Sequence, residues 1–206
     1  MRGLAALWLL LVAPGLTWAQ ASSQKPDFSL STSGVELSAL REARYVRSTK
    51  GRRLIDSFIH GSMANALPQA VGAQCWYPAR QVIAMAGDGG LAMLMGDLLT
   101  LAQYDLPVKI VAFNNSALGS VKLEMKVAGL PDYQTDLKNP NFAKLAEVIG
   151  MMGIRIENPA DVSAGPNRVL QNSGPALIDL VTDPNAISLP FHIEPGMAAG
   201  FGLTTG

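Results

Sequence analysis

An apolar run over 81–86 empties into Gly87-Asp88-Gly89, and a second run, 108–113, ends in Asn114-Asn115. The polar residues behind the two runs, Asp88 and Asn115, lie 115 − 88 = 27 positions apart. That spacing is about one strand–helix–strand crossover, the connection that joins neighbouring parallel strands. Asp88 and Asn115 are therefore expected side by side at the carboxyl ends of adjacent strands, where open α/β sheets bind ligands. A hard carboxylate and an amide oxygen among tight glycine turns suit Mg²⁺ holding a diphosphate. Gly-Asp-Gly alone is usually a turn; joined to Asn-Asn at this distance, with a strand before each, it is specific.

Around that pair the pattern alternates. A strand is expected over 82–86, a helix over 91–104 with Leu91, Leu94, Leu98 and Leu101 on one face, and a buried strand over 108–113 interrupted only by Lys109. A helix over 141–150 would turn Phe142, Leu145, Ala146 and Ile149 inward and stop at Gly150. Two further strands are expected over 153–156 and 176–181. Residues 57–74 are rich in small side chains, as in a helix that meets a neighbour closely, and Pro68 would kink it or mark its first turn. Between the last two strands, Gly165-Pro166 opposes a full crossover helix, by roughly 1 and roughly 3 kcal/mol in a helix interior. That helix is expected to be broken there or shortened to 167–171. The alternation predicts an α/β chain, a doubly wound, mostly parallel sheet with helices on both faces.

Apolar residues make up 49% of the 206 and charged ones 16%, so a packed core is expected instead of a disordered chain. With 16 basic and 16 acidic residues and no basic stripe among aromatics, no nucleic-acid partner is expected. Cys75, the single cysteine, excludes an internal disulfide and reads as a buried, inert thiol. The amino-terminal segment differs from the rest. Met1-Arg2, an apolar run over 4–13, the Pro14-Gly15 break and the small residues Thr17 and Ala19 fit a secretory signal over 1–19. The run is too short to span a bilayer, which takes ~20 residues, and no membrane span is expected. A mis-assigned start ahead of a cytosolic domain fits the same residues. The first reading makes the chain secreted or periplasmic, the second cytoplasmic. Residues 20–41, rich in Ser, Thr and Gln, read as a disordered linker, 42–190 as the domain, and 191–206 as a tail in which His192 has no expected chemistry. Arg41, Arg44, Arg47, Lys50, Arg52 and Arg53 read as a solvated face ahead of an anion-binding patch.

A diphosphate brings about three negative charges, so burying it requires a cation and oriented backbone N–H groups. Gly87, Gly89 and Gly90 allow close backbone approach, and a helix from near Leu91 would turn its N-terminus to the anion. Asp88 and Asn115 would ligate the metal, with the main-chain carbonyl of Ala117 as third ligand and phosphate oxygens and water completing an octahedron. His60 is either a base or substrate contact or a structural hydrogen-bonding residue. Lys122 and Glu124 read as surface residues on a helix or lid.

In its Gly-Asp-Gly, some two dozen residues, then Asn-Asn, the chain resembles the thiamine-diphosphate-dependent enzymes over about residues 42–203. Ser57-Phe58-Ile59-His60-Gly61-Ser62-Met63-Ala64-Asn65-Ala66, Met93-Leu94-Met95-Gly96-Asp97, Leu106-Pro107-Val108-Lys109-Ile110-Val111 and Asn114-Asn115-Ser116-Ala117-Leu118-Gly119 look like the pyruvate oxidase and quinone-dependent pyruvate dehydrogenase branch. The resemblance implies the domain that binds the cofactor's diphosphate, in an enzyme that decarboxylates a 2-oxo acid such as pyruvate. Asp88, Asn115 and Ala117 would hold Mg²⁺. Gly61, Ser62, Met63, Asp88, Gly89, Gly90, Asn115, Ser116, Ala117, Leu118, Gly119, Ser120 and Val121 would line thiamine diphosphate. Met63 falls where the family bends the cofactor with a bulky apolar side chain, while core packing is its ordinary reading.

The resemblance also implies missing parts. The family's activating glutamate comes from a pyrimidine-binding domain of the neighbouring subunit, and its oxidising members carry FAD. Neither that domain nor a flavin site is expected here, and Ser120 stands where those members tend to have an aromatic residue. The expectation is a fragment without a confident catalytic residue, inactive alone, needing a pyrimidine-binding domain from another chain or self-associating. The alternatives are an exported or degenerate cofactor-binding module and an acetolactate-synthase-like or benzoylformate-decarboxylase-like specificity.

Overall fold

The computed structural model describes residues 28–32, 53–57, 60–185 and 195–205. The expected leader, the basic stretch over 41–52 and His192 lie outside them. Six strands form one sheet: β1 (Phe28–Thr32), β2 (Arg53–Ile55), β3 (Gln81–Gly87), β4 (Lys109–Asn114), β5 (Met152–Ile156) and β6 (Ala176–Val181). Every pairing is parallel, in the order β2-β1-β3-β4-β6-β5, so all carboxyl ends share one edge. β1 lies inside the segment read as a disordered linker. Its alternation is Phe-Ser-Leu-Ser-Thr, too short and polar to stand out, and its pairing with β3 is what makes it a strand.

The period-2 pattern of the strands divides the core between two faces. Val82, Ala84 and Ala86 of β3 and Ile110 and Ala112 of β4 pack with Leu67 and Ala70 of α1 (Ala66–Trp76). On the same face lie Leu98 and Leu101 of α3 (Asp97–Gln103) and Phe142 and Ala146 of α5 (Phe142–Val148). Ile83 and Met85 point the other way, with Phe113. On that side Val169 of α6 (Ala164–Gln171) packs against Ile156, Ala176 and Ile178. Helices therefore cover both faces, as the alternation predicted.

Three helices differ from expectation. The small-residue stretch is helical only from Ala66, and Pro68 takes its first turn, where its missing N–H has no intrahelical role. The helix expected over 91–104 is two: α2 (Asp88–Met93) and α3, separated by a turn that leaves Leu94 44% exposed, so Leu94 leaves the leucine face. α6 is not shortened. It starts at Ala164 behind a 3-10 turn (Pro159–Val162), which puts Pro166 in the first turn as well. Gly165 then has a packing role, because a Cβ there would lie 2.5 Å from Ile156 Cδ1. Gly165→Val is expected to lower stability by about 1–3 kcal/mol through overpacking, measured by urea denaturation.

Cys75 is exposed and not buried: the inward face of α1 is formed by Ala66, Leu67, Ala70 and Gln74, one position short of it. Partial cover still pushes its thiol up. Lys109, the charge inside a buried strand, sends its ammonium to the carbonyls of Asn172 (2.7 Å) and Gly174. Burial lowers its pKa, against the pull of Asp105. Among the described residues no helix is long and apolar enough to cross a membrane.

Candidate functional site

Gly87 pairs with Phe113, so Asp88 leaves the sheet at its carboxyl edge level with Asn114, the last residue of β4. The α2 helix begins at Asp88, not near Leu91, and its first turn holds Asp88, Gly89 and Gly90 against the edge. Asp88 is 1% exposed. Its Oδ1 accepts from the Gly89 N–H (3.0 Å), and its Oδ2 from the Ser116 N–H (2.7 Å) and the Asn139 side-chain amide (2.6 Å). Ser116 reaches it from a left-handed backbone conformation, φ 55°, uncommon for a residue other than glycine. Burial holds the Asp88 carboxyl above the ordinary carboxylate range, and hydrogen bonds from Gly89, Ser116 and Asn139 pull it back.

Asn115 follows directly. Its Oδ1 accepts from the Ala117 N–H at 3.1 Å, an Asx turn, and keeps a second lone pair. A Cβ on Gly119 would stand 3.0 Å from Asn115 Nδ2, so glycine there leaves the amide its room. Ala117 faces Asp136 in an isolated bridge closed by Leu118 N–H to Thr135 (2.7 Å) and Leu137 N–H to Ser116 (2.8 Å). Neither bond uses the Ala117 carbonyl. Asp88, Asn115 and Ala117 thus follow the carboxyl ends of two adjacent strands, tied together by the Ser116 N–H on Asp88 and the Ala117 N–H on Asn115. Leu118 to Val121 lead away from them, Gly119, Ser120 and Val121 opening α4 (Gly119–Val127).

Gly61, Ser62 and Met63 occupy the loop that leaves β2 on the same edge. Ser57 and Asp56 shape that loop: Gly61 N–H donates to the Ser57 carbonyl (2.6 Å), Ser62 N–H to Ser57 Oγ (3.3 Å), and Ser57 N–H to Asp56 Oδ1 (2.7 Å). Positive φ at Gly61 (62°) and Ala64 (66°) tightens it. Met63 is half-buried in a turn, so the helix-core reading of it falls away. His60 is exposed. Lys122 is not a free surface residue: it pairs with Asp132 (2.9 Å) and Asp136 (3.2 Å), tying α4 to the loop that bridges Ala117.

Sequence reasoning missed Asn139, Asp179 and Arg155, and took Asn114 only as half of a motif. Asn139 donates to both Asp88 Oδ2 and Asn114 Oδ1 (3.0 Å). Asn114 Nδ2 donates to Oδ1 of Asp179 (2.9 Å), which is wholly buried. Asp179 Oδ2 accepts from the Phe142 N–H (3.1 Å) and from Arg155. Asp179 carried a signal: it is the lone charge inside Ala-Leu-Ile-Asp-Leu-Val.

Among the described residues no three His, Cys, Asp or Glu side chains converge as a metal site. The family model described as "Thiamine pyrophosphate enzyme, C-terminal TPP binding domain" matches residues 38–180. The chain belongs to this family. As a thiamine-pyrophosphate-binding domain it is similar to the putative thiamine pyrophosphate-containing protein YdaP of Bacillus subtilis, 35% identical over 77% of this chain and 28% of the relative. The mitochondrial acetolactate synthase of Schizosaccharomyces pombe is 34% identical over 89% of this chain and 27% of that protein. The pyruvate oxidase of Lactiplantibacillus plantarum is 34% identical over 76% and 26%. The chain thus spans about a quarter of the length of these relatives. On α2 and α3 the domain keeps Met93 (62%) and Leu99 (57%) exposed.

Proposed function

We propose that this domain binds thiamine diphosphate through Mg²⁺ and serves as the cofactor-holding part of an enzyme acting on a 2-oxo acid, pyruvate first. The observation that carries the reading is the buried Asp88 carboxylate held by the N–H of Ser116, between Asn115 and Ala117, whose amide and main-chain carbonyl are the other proposed ligands. All three are oxygen donors, and such a set, with open positions for the anion's own oxygens, suits Mg²⁺ better than a softer metal. Gly119 supports the fit, since a side chain there would crowd the amide. Asp88, Asn115 and Ala117 would hold the ion, and Gly89, Gly90 and residues 116–121 the diphosphate. Gly61, Ser62 and Met63 would meet the rest of the cofactor. Bound thiamine diphosphate supplies a thiazolium carbon that adds to ketones and takes up the electrons left by CO₂. The chain's own residues hold and orient that group; activation and substrate contacts are assigned to a partner domain, for which exposed Met93, Leu94 and Leu99 offer apolar surface.

A second reading, an acetolactate-synthase-like reaction, draws on Ser120 in the place of an aromatic residue and on the acetolactate synthases among the relatives. Calorimetric titration of thiamine diphosphate into the protein, with and without Mg²⁺, tests the shared part. Binding that requires the metal is expected, and a folded protein that binds nothing would refute it.

The raised Asp88 carboxyl fixes a pH dependence. Because its folded pKa lies above the unfolded one, the protonated form favours the metal-free fold. That stability is present below about pH 3.9 and is lost as pH rises through the folded value. Mg²⁺ binds the ionised form and acts in the opposite sense. In thermal melts the Mg²⁺-induced rise in Tm with thiamine diphosphate is expected to grow with pH across this window. Without metal, the native Tm should decline there relative to Asp88→Asn.

A further inference from the structure

The polar contacts behind Asp88 form a chain with a fixed direction. Arg155 has only donors, so the Asp179 oxygen it meets must accept, and its second partner, Glu157 at 2.6 Å, holds the guanidinium in place. Asp179 Oδ1 is an acceptor too, which obliges Asn114 to present its NH₂ group there, at 2.9 Å. The Asn114 amide oxygen then faces the other way, where it receives Ser116 Oγ–H (3.3 Å) and Asn139 Nδ2 (3.0 Å). Asn139 is thereby oriented with its NH₂ group toward the site, and the same nitrogen lies 2.6 Å from Asp88 Oδ2. Amide orientation is normally ambiguous; here the pairing of wholly buried Asp179 with Arg155 at the far end removes the ambiguity.

The consequence falls on the two oxygens of Asp88. Oδ2 receives two strong donors from distant segments, the Ser116 N–H and Asn139, whereas among the described residues the donor bonded to Oδ1 is the adjacent Gly89 N–H at 3.0 Å. We propose that Asn139 is a positioning and specificity residue of the cation site: by occupying Asp88 Oδ2 it limits Asp88 to one-oxygen ligation through Oδ1. One-oxygen carboxylate ligation suits the small octahedral Mg²⁺, and a carboxylate free to ligate through both oxygens suits the larger Ca²⁺. Arg155, Asp179 and Asn114 set the direction of that donor and act only through it. The inference rests on the Mg²⁺–thiamine diphosphate reading above.

Its test is calorimetry of Mg²⁺ and of Ca²⁺, each with thiamine diphosphate, on the native protein, Asn139→Ala and Arg155→Met. Asn139 is half-buried and Arg155 is at the rim of the sheet, so both variants are checked for unchanged folding by Tm without metal. Asn139→Ala is expected to weaken Mg²⁺ by about 10–100-fold, the scale of outer-shell metal-site partners, and Ca²⁺ markedly less. Arg155→Met should shift the same ratio in the same direction, and the double variant should add little beyond Asn139→Ala. A general loss of stability would weaken both cations alike, and unchanged or equally reduced affinities would overturn the proposal. If the native protein binds neither cation with the cofactor, the functional reading fails instead. The relay is then read by ¹H–¹⁵N NMR of the metal-free protein, as slow exchange of the Asn139 side-chain amide protons that quickens in Arg155→Met; fast exchange in the native protein would sink it.

Discussion

Asp88→Ala is expected to abolish metal-dependent binding of thiamine diphosphate, with an affinity loss of at least about 100-fold in a calorimetric titration. Outer-shell partners of metal ligands are worth roughly 10–100-fold, and Asp88 would itself be the ligand, the only carboxylate in the set. A 100-fold loss corresponds to about 2.7 kcal/mol. Folding should tolerate the change. Truncation leaves the Ser116 N–H and the Asn139 amide without their acceptor, but it also removes a carboxylate buried to 1% exposure whose ionisation opposes the metal-free fold. A Tm close to native together with lost binding would assign the effect to the site. Retained binding would move the cation elsewhere and end the present assignment.

The largest stability effect is expected on another strand, at Gly153 on β5. A Cβ there would overlap the Ala143 carbonyl and lie 2.8 Å from its carbon and 3.1 Å from Ala143 Cα. These are backbone atoms of α5, so no rotamer change relieves the clash. The helix must move off the strand, and with it wholly buried Phe142 and Ala146. Gly153→Ala is therefore expected to lower stability by about 3 kcal/mol or more, at or beyond the upper range for overpacked cores, as read from urea denaturation. The same displacement would pull the Phe142 N–H from Asp179 Oδ2, now 3.1 Å away, and loosen the chain of bonds that ends at Asp88. A shift below 1 kcal/mol would mean that α5 packs on the sheet less tightly than these distances require.

Gly153 could not have been singled out from sequence, since its demand comes from a helix docked across it. The strands themselves were legible, because apolar runs bounded by turn residues announce β3, β4 and β6 without help from the rest of the chain. Phe28–Thr32 was not, being short and half polar and made a strand by its partner. Gly165-Pro166 misled for a related reason. Propensity penalises both residues in a helix interior, but the helix begins one residue earlier, so Pro166 falls in the first turn and Gly165 becomes the point of close approach to Ile156. Cys75 failed on phase, one position around the helix from Gln74.

The candidate site divides along the same line. Asp88 and Asn115 could be paired from sequence because one crossover separates them, and the parallel ladder that brings Gly87 beside Phe113 bears that adjacency out. Gly119 and Ala117 came with the motif. Asn139 lies 139 − 88 = 51 positions from the carboxylate it touches, and Asp179 lies 179 − 114 = 65 from Asn114. No local period connects such residues.

By itself, the sequence determined the parallel α/β architecture, the family, and the placing of Asp88 and Asn115 at one end of adjacent strands, since strand period and crossover length are local properties. The tertiary structure alone decided which donors each Asp88 oxygen receives, which way the two amides point, and where glycine is indispensable. Those outcomes depend on groups brought together from distant segments, where burial makes each unsatisfied donor or overlapping atom expensive enough to select one arrangement.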